Sequence, residues 1–541
     1  MRDEEKDQRV RPGTRSALGA LSGALAAFAA LAVAELVAAA VRPQSSPVIA
    51  VGGASVDATP APVKDWAIRH FGTSDKLVLQ LGILVVLTVS ALALGVLAVR
   101  FRRVGTAGVL LFGVVGATAA ISRPDSAGVT DALPSVLGAM AGALLLNVLV
   151  SRLTAVRRSP APPASVTEEA GDGSPACEGW DRRGFVLAAA SAAAASAAVG
   201  VVGRSLNTSR GRDAVASRER VVLPAPRSPA QPVSRGAGLR VPGVSPFLTP
   251  NGAFYRVDTA LVVPEVDATG WRLRIHGKGV SRPATYSFDD LLHRELIERD
   301  ITLTCVSNEV GGPYVGNARW TGVRLADLLA ECGVRPPSRG GPGDQLVARS
   351  VDGMTIGSPV EELMDGRDAM LALGMNGEPL PFEHGFPARM VVPGLYGFVS
   401  ACKWIEDIEL TTFDSYDPYW VKRGWARRAP VKTASRIDTP KPFARPKAGT
   451  VMIAGVAWAQ HRGIDKVEVR VDDGPWQKAH LAAEDTRDTW RQWSMPWQAT
   501  RGGHTLTVRA TDRTGAVQTA RRTRTIPDGA GGRHSVVVTV D

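Results

Sequence analysis

Long apolar segments near the N-terminus constrain this chain more than any other feature of its sequence. A segment of about 20 apolar residues is long enough to cross a bilayer. Five segments reach or approach that length: Ser16–Val41, Leu77–Val99, Val104–Ile121, Ala132–Val150 and Gly184–Val202. The rest of the 541 residues have an ordinary globular composition and contain most of the tryptophans. We therefore predict a multi-domain protein in which an all-α transmembrane anchor precedes folded globular domains.

Basic residues are distributed unevenly around these segments and predict an orientation. They precede the first segment, fill the turn between the second and third, and follow the fourth: Arg9, Arg11, Arg15, Arg100, Arg102, Arg103, Arg152, Arg157 and Arg158. The positive-inside rule then places the N-terminus in the cytoplasm and everything after about Gly203 outside. We expect a multi-pass cell-membrane protein whose globular part lies on the extracytoplasmic side.

The fifth apolar segment carries a second signal. It begins Asp181-Arg-Arg183-Gly-Phe185-Val-Leu187, which resembles a twin-arginine signal for the export of folded, cofactor-loaded proteins. The alternative is a stop-transfer helix whose arginines only obey the charge rule, and cleavage after Ala195-Ser-Ala197 stays open. The predicted divisions are a four-helix region (1–151), a cytoplasmic linker (152–180), the fifth helix (181–203) and an extended extracytoplasmic stalk (204–241).

Composition also argues against several classes of function. The net charge of +11 is scattered, without a basic stripe interleaved with aromatics, so we expect no nucleic-acid binding. The spans contain no His and the chain has no Cys-x-x-Cys-His motif, so we expect no haem in this chain. Glu35, the one carboxylate within a span, is either functional or interfacial. The four cysteines do not form a disulfide framework.

Residues 242–429 show a mixed α and β pattern. Trp271–His276 alternates like a half-buried strand, and Val323–Ala330 predicts a short helix. Ser358-Pro359-Val-Glu361 predicts a helix start with Ser at the N-cap and Pro at the first position. The alternating run Ile301–Thr304 ends at Cys305, before a glycine-containing loop. A cysteine in that position can present a thiolate to a metal, although most isolated cysteines are inert, buried small hydrophobes.

Residues 430–541 are predicted to be all-β. Lys466–Val471 alternates strictly and is followed by Asp473-Gly474, a good hairpin turn, and His504–Ala510 alternates again. This pattern predicts a small immunoglobulin-like sandwich.

Four stretches between about Phe247 and Val540 follow one another in a recognisable order. They are Phe254-Tyr-Arg-Val-Asp258, Thr302-Leu-Thr-Cys-Val-Ser-Asn308, His384-Gly-Phe-Pro-Ala-Arg389 continuing to Lys403-Trp404, and Ile453-Ala-Gly-Val-Ala-Trp458 with Arg462-Gly463. Together they resemble the sulfite oxidase family of molybdopterin enzymes. The resemblance implies an α+β molybdopterin domain followed by an immunoglobulin-like domain that serves dimerisation, and hence a possible homodimer.

The same resemblance implies a cofactor and its contacts. Cys305 becomes the protein thiolate on molybdenum, beside the dithiolene of the pterin. A buried phosphate needs cationic donors, which Arg supplies in bidentate geometry. The residues that match the family's cofactor contacts are Arg256, Asp258, Asn308, His384, Arg389, Ser400, Ala401 and Lys403.

Departures from the family pattern limit what the resemblance implies about the substrate. Glu309 and Val310 stand where sulfite oxidases continue with cations, and Trp425 stands in place of an active-site Tyr. Arg462 matches a substrate-side Arg, or is a strand-end surface charge. We expect oxo transfer on a small molecule other than sulfite. The alternatives are a sulfoxide-type reductase on the same fold and a non-catalytic exported interaction protein. Electrons must then pass to a separate partner, either a cytochrome or a quinone-linked membrane protein.

Overall fold

The computed structural model describes residues 12–541 except 61–62, 64–65, 67–69, 72–74, 124–125, 127, 155, 158–178 and 181. Two compact units are present: Met1–Arg210 with Thr259–Val262, and Gly211–Asp258 with Val263–Asp541. Most of the predicted cytoplasmic linker (152–180) lies outside the described residues. At its ends, two short strands pair in antiparallel fashion, β1 (Val156–Arg157) and β2 (Gly179–Trp180).

Helices form the first unit. They are α1 (Pro12–Ala40), α2 (Pro47–Ala58), α3 (Asp75–Arg100), α4 (Arg102–Ser122), α5 (Leu133–Thr154) and α6 (Arg182–Glu219), the last of which continues into the second unit. Within the described part of the chain, five helices are long and apolar enough to cross a membrane, and they match the five predicted segments. The short apolar helix α2 was not predicted; Pro47 at its start suits the first helical turn.

Small residues allow the helices of this unit to pack closely. A Cβ atom on Gly138 of α5 would lie 2.5 Å from the Ala30 carbonyl oxygen of α1, so only glycine permits this approach. At the end of α1, Glu35 accepts a hydrogen bond from the Ser46 hydroxyl. This local partner favours the interfacial interpretation of Glu35 over a functional one.

The prediction of an extended stalk over 204–241 was wrong for residues 204–219. Helix α6 continues through Glu219, and its last turns are anchored to the second unit. Ala214 and Ser217 are buried there, and Arg218 donates to the backbone oxygens of Leu380 and Pro379. The Arg, Pro and Ser content predicted an exposed stalk, but the first part of this segment is the end of a helix that packs against the folded domain.

Two five-stranded sheets form the α+β part of the second unit. The strands are β3 (Arg272–Gly277), β4 (Ala284–Ser287), β5 (Leu296–Thr304), β6 (Val315–Arg324), β7 (Gln345–Ser350), β8 (Thr355–Pro359), β9 (Met370–Met375), β10 (Glu378–Pro379), β11 (Arg389–Val391) and β12 (Ile405–Thr411). One sheet has the order β10-β9-β6-β5, with β11 also paired to β9. The other has the order β4-β3-β12-β7-β8, in which β3 and β12 are parallel.

Four short helices connect these strands. They are α7 (Phe288–Leu292), α8 (Leu325–Glu331), α9 (Val360–Leu363) and α10 (Gly397–Ser400). Helix α8 confirms the prediction over Val323–Ala330. The N-cap predicted at Ser358 was wrong: Ser358 lies within β8, Pro359 is the N-cap, and the Ser358 hydroxyl donates to the Val399 backbone oxygen at 2.5 Å. A buried tertiary partner therefore replaces the local capping bond.

The C-terminal part is a sandwich of two antiparallel sheets, which confirms the all-β prediction. Its strands are β13 (Ala434–Thr439), β14 (Gly449–Trp458), β15 (Ile464–Val471), β16 (Gln477–Lys478), β17 (His480–Leu481), β18 (Arg491–Ala499), β19 (Gly502–Asp512) and β20 (His534–Val540). The sheet orders are β13-β14-β18-β17 and β16-β15-β19-β20. Trp493, Val469 and Val508 belong to the core that these strands enclose. The immunoglobulin-like assignment stays a prediction.

Strand β5, which leads to Cys305, lies at the edge of its sheet and is covered by other segments. Ser228 forms a bridge to Ile297 at the start of the strand. Near its end, the Gln460 side-chain amide donates to the Thr302 carbonyl oxygen at 2.9 Å and to the Thr304 hydroxyl at 2.8 Å. The sandwich therefore holds the end of the strand that presents Cys305.

This contact gives a stability prediction. Gln460 is 1% exposed, so Gln460→Leu leaves two buried acceptors without that donor. Each buried group left unsatisfied costs about 1–3 kcal/mol, and we expect the free energy of unfolding to fall by about 2–4 kcal/mol. Urea unfolding of the detergent-solubilised full chain, followed by tryptophan fluorescence, measures it. Gln498→Leu, at an exposed position, is the control and should change little; equal unfolding midpoints for both variants would contradict the prediction.

Candidate active site

Cys305 stands directly after β5, as the alternating pattern predicted. It is 8% exposed, and its backbone N–H donates to the Tyr314 carbonyl oxygen at 3.0 Å. Burial raises the pKa of the Cys305 thiol, while hydrogen bonds from Ser307 and the positive charge of Lys403 oppose that shift. In the described part of the chain, no group of three or more His, Cys, Asp or Glu side chains is arranged to hold a metal ion. Any metal at Cys305 would therefore bring most of its ligands with it.

Asn308 closes the loop that follows Cys305. Its backbone N–H donates to the Cys305 carbonyl oxygen at 3.0 Å, and its side-chain oxygen accepts from the Tyr314 N–H at 2.8 Å. Gly312 allows this closure, since a Cβ atom there would lie 2.6 Å from the Asn308 side-chain oxygen. The structure therefore gives Asn308 a positioning role in the Cys305 loop.

A glycine brings together two of the predicted cofactor-binding cations. Gly385 has a φ of 111°, which L side chains rarely adopt. A Cβ atom on Gly385 would lie 3.0 Å from the Lys403 Cβ and 3.1 Å from the Arg389 Cβ. The glycine thus lets Arg389, at the start of β11, and Lys403 approach each other.

Arg389 holds a buried positive charge without a counter-ion. Its side chain is almost fully buried and donates to the His384 backbone oxygen at 3.1 Å, while its guanidinium carbon lies 5.1 Å from the centre of the Trp320 ring. Among the described residues, no carboxylate forms an ion pair with it. Burial lowers the pKa of Arg389 to about 10, so it stays charged at neutral pH. Such a charge is costly unless an anion approaches it.

Lys403 differs from Arg389 because it has an internal partner. Its Nζ lies 2.9 Å from an Asp258 carboxylate oxygen, and the Nε of Arg256 lies 3.0 Å from the same oxygen. Burial lowers the pKa of Lys403 to about 8, and the negative charge of Asp258 opposes that shift. The structure therefore brings Arg256, Asp258 and Lys403 together, with one carboxylate between two cations.

His384 is a neutral imidazole with one unused nitrogen. Its Nε2 lies 3.0 Å from the Asn251 carbonyl oxygen, which assigns the proton to Nε2. Burial, together with the charges of Arg389 and Lys403, lowers the pKa of His384 to about 4. Its Nδ1 is buried and has no hydrogen-bond partner within the described residues. A bound donor would satisfy it.

Ser400 and Ala401 use their local donors within the protein. The Ser400 hydroxyl donates to the backbone oxygens of Leu395 and Tyr396, and the Ala401 N–H donates to Gly397 O at 2.9 Å. These groups are therefore not offered to a ligand in this conformation.

Arg462 reaches the site from the sandwich. It lies just before β15, where its Nε donates to Asp512 at 2.9 Å and its NH2 to the Val431 carbonyl oxygen at 2.8 Å. Burial raises the pKa of Asp512, but hydrogen bonds from Thr514, Thr433 and Arg462 outweigh burial and hold that pKa well below its usual range. Arg462 is thus held by a permanently charged carboxylate. Its interpretation as a free surface charge does not fit this geometry.

Tyr396 was not predicted from the sequence. Burial raises the pKa of Tyr396 to about 12, and both Cys305 and Arg462 lie within electrostatic reach of its hydroxyl. Trp425, the predicted substitute for an active-site Tyr, packs at 9% exposure against Phe398 and Trp420, with ring centres 5.1 and 4.7 Å apart. Tyr396 therefore places a phenol within reach of Cys305 and Arg462, whereas Trp425 is packed among aromatic rings. No local pattern in the sequence marked Tyr396.

Tyr255 is a second phenol that sequence reasoning missed. Burial raises its pKa, and the charges of Cys305 and Arg389 both act on it. Tyr255 is therefore within electrostatic reach of both the thiol and the guanidinium. It lies in the stretch Phe254-Tyr-Arg256, which the sequence analysis singled out, but no spacing or periodicity marked the phenol itself.

Comparisons with known proteins agree with this geometry. A family model described as "Oxidoreductase molybdopterin binding domain" matches residues 260–420, which include Cys305, His384, Arg389 and Lys403. Mitochondrial sulfite oxidase of Mus musculus is 31% identical over 293 residues, covering 47% of this chain and 53% of that protein. The uncharacterized oxidoreductase YuiH of Bacillus subtilis is 32% identical over 162 residues, covering 30% of this chain and 75% of YuiH.

The chain belongs to the sulfite oxidase family of molybdopterin oxidoreductases. The chain spans about half the length of the mitochondrial sulfite oxidases it matches. Among solved structures, sulfane dehydrogenase SoxCD from Paracoccus pantotrophus is similar, with 26% identity, a TM-score of 0.47, and coverage of 55% of this chain and 84% of that one.

The side chains of this site fit the family's cofactor. A pterin that ends in a phosphate offers anionic oxygens and ring N–H groups. Arg389 presents an uncompensated buried charge, and His384 presents a buried nitrogen that lacks a donor. The guanidinium of Arg389 would pair with an anionic oxygen of such a ligand, and the free nitrogen of His384 would accept a hydrogen bond from a ring N–H.

The uncompensated charge of Arg389 predicts that its removal affects stability and cofactor binding differently. In protein made by a host that lacks the pterin, Arg389→Met removes an uncompensated buried charge, so the thermal midpoint should stay unchanged or rise. In a host that makes the pterin, the content of bound pterin should fall at least about tenfold. Differential scanning fluorimetry and pterin fluorescence after oxidation measure the two effects.

The matched control is Arg299→Met. Arg299 is partly buried, with a side chain that is 26% exposed, and it pairs with Asp368 at 2.7 Å. Its loss should therefore lower the thermal midpoint and leave the pterin content unchanged. Strong destabilisation of the pterin-free Arg389→Met protein, or normal pterin content in that variant, would contradict the role assigned to Arg389.

Proposed function

We propose that this chain is a membrane-anchored, extracytoplasmic oxidoreductase that transfers an oxo group at a molybdenum held by Cys305. The observation that carries the proposal is the single buried thiol at the end of β5, close enough to Lys403 for its charge to act on the thiol. When bound, the molybdenum cofactor supplies the change of oxidation state that accompanies gain or loss of an oxo group. Metal binding deprotonates a coordinating thiol outright, which removes the penalty that burial places on the thiolate.

The cations on the β11 side would hold the cofactor. Arg389 would face its phosphate or another anionic oxygen, and His384 Nδ1 would accept a ring N–H. Lys403, kept next to Asp258, would contribute a donor whose charge is already balanced. These roles differ because Lys403 already has an internal partner, Asp258, whereas His384 Nδ1 has none within the described residues.

Tyr396 and Arg462 would form the substrate side. The pKa of Tyr396 keeps its phenol protonated at neutral pH, so it can donate a hydrogen bond to a substrate oxygen. Arg462 supplies one cation whose charge Asp512 already balances. Glu309 is exposed in the loop after Cys305, where it disfavours a dianion. This combination suits an uncharged, oxygen-bearing substrate better than sulfite, and a sulfoxide reduced on the same site is the second candidate.

Electrons would pass to or from a separate cytochrome or quinone-linked partner. Five apolar helices support a multi-pass anchor, and the arginine distribution supports an outward-facing catalytic domain. A homodimer through the C-terminal sandwich stays possible by resemblance alone.

Replacing Cys305 tests the proposal directly. Cys305→Ser should retain the fold and the pterin but lose at least about 100-fold in turnover, because removing a ligand should exceed the 10–100-fold cost of altering a ligand's partner. The assays are reduction of methionine sulfoxide with a reduced viologen dye and oxidation of sulfite with ferricyanide. Molybdenum is counted by elemental analysis in each sample.

Cys332→Ser is the control, because Cys332 is another buried free cysteine but contacts Tyr286. It should keep normal turnover. If wild-type protein purified from a cofactor-competent host contains no molybdenum, the proposal is refuted. Faster turnover of sulfite than of methionine sulfoxide would refute the substrate assignment alone.

The export route has its own test. Arg182→Lys/Arg183→Lys keeps the positive charge at the start of α6 but removes the paired arginines, so the C-terminal domain should stay in the cytoplasm. Protease accessibility of that domain in spheroplasts reports its location. Arg157→Lys/Arg158→Lys is the matched control and should export normally. If the first variant exports as well as the control, α6 is a stop-transfer helix and not a twin-arginine signal.

A further inference from the structure

The first unit contains an apolar cavity, about half open to its surroundings, that neither the anchor role nor the catalytic domain requires. Its volume is about 570 Å³, and residues of α1 to α5 line it, including Ala30, Pro47, Gly82, Phe112 and Ser135. Small-molecule sites typically measure about 300–1,000 Å³ and are mostly apolar with a few polar groups. The cavity therefore has the size and lining of a binding site.

Ser135 is the polar side chain of this lining, and its hydroxyl is unsatisfied. The residue is 3% exposed, and its Oγ has no hydrogen-bond partner among the described residues. Other hydroxyls in these helices bond to a carbonyl oxygen of the preceding turn, such as Ser22 to Leu18 and Thr88 to Leu84. A buried donor without an acceptor costs about 1–3 kcal/mol. A ligand oxygen that entered the cavity would supply the acceptor.

Gly116 makes room for that hydroxyl. A Cβ atom on Gly116 of α4 would lie 2.6 Å from the Ser135 Oγ and 3.7 Å from the Pro47 Cβ. The polar end of the cavity thus lies where α2, α4 and α5 meet, and the remaining lining, from Ala30 to Phe112, is hydrocarbon. One polar end and an apolar body match an amphiphile.

We propose that this cavity binds an isoprenoid quinone, with a ring carbonyl oxygen accepting from Ser135 and the prenyl chain along the apolar lining. Among the described residues that line the cavity none is charged, so a neutral head group fits and a phosphorylated one does not. The preference for a quinone over other neutral amphiphiles rests on the proposed function, in which a separate carrier takes up or supplies the electrons.

Glycines in the first unit provide a matched pair of variants. Gly82 lines the cavity, and a Cβ atom there would meet nothing within 4 Å, so Gly82→Leu projects a side chain into the open space. Gly13, also on a helix of this unit, has equally open surroundings but does not line the cavity. Gly13→Leu therefore repeats the chemical change away from the cavity.

The probe is a naphthoquinone with two prenyl units, added to the full-length protein in detergent. Bound quinone is measured by absorbance after gel filtration and extraction. We expect binding by the wild type and by Gly13→Leu, and a loss of affinity of at least about tenfold in Gly82→Leu. Ser135→Ala should weaken binding by about three- to tenfold, which is the worth of one hydrogen bond.

Three outcomes overturn the proposal. They are equal binding by wild type and Gly82→Leu, no binding by either, and displacement of the quinone by an equimolar amount of dioleoyl phosphatidylglycerol, which would make the cavity a lipid groove. Molybdenum is measured in the same samples. A molybdenum-free wild type speaks against the proposed function and leaves the binding result intact, whereas molybdenum-loaded protein that binds no quinone speaks against the cavity alone.

Discussion

The free edge of strand β5 is the constraint on which the rest of the active site depends. An edge strand presents backbone donors and acceptors that must find partners, and β5 is too buried to leave them to water. Ser228 pairs with the start of the strand, and the Thr302 N–H donates to the Asp488 carbonyl oxygen near its end. Gln460 completes the edge. Cys305 is therefore positioned by segments that precede and follow its own domain.

The second constraint is electrostatic. The site holds three cations, of which Lys403 acts on the buried thiol of Cys305, yet its internal carboxylate, Asp258, balances only Lys403 and Arg256. Arg389 is left charged in surroundings of low polarity, over the face of Trp320. Without a ligand this arrangement lowers stability, and an anion would reverse the sign of its contribution. The protein thus accepts a local cost in order to hold a cofactor-binding geometry in advance.

Some of this could be predicted from the sequence because the signal was local. The apolar helices follow from length and composition, and the place of Cys305 follows from the alternating run before it. Gln460 and Tyr396 carried no such signal, since their roles depend on which strands and loops the fold brings beside β5. Ser358 failed as an N-cap for the same reason: its hydroxyl found a tertiary acceptor, Val399 O. Residue identity alone could not separate Arg389 from Lys403, because the difference lies in the position of Asp258.

The way in which the β5 edge is completed also bears on the export route. Gln460 bonds to Thr302 across 158 positions, and the Trp490 N–H bonds to the Thr302 hydroxyl across 188 positions. Contacts of such long range need the chain as far as Trp490 to be present and folded against β5. The final geometry of the strand end at Cys305 therefore depends on the sandwich. A cofactor that is inserted in the cytoplasm would need that geometry before export, so a route that carries folded domains agrees with the paired arginines at the start of α6.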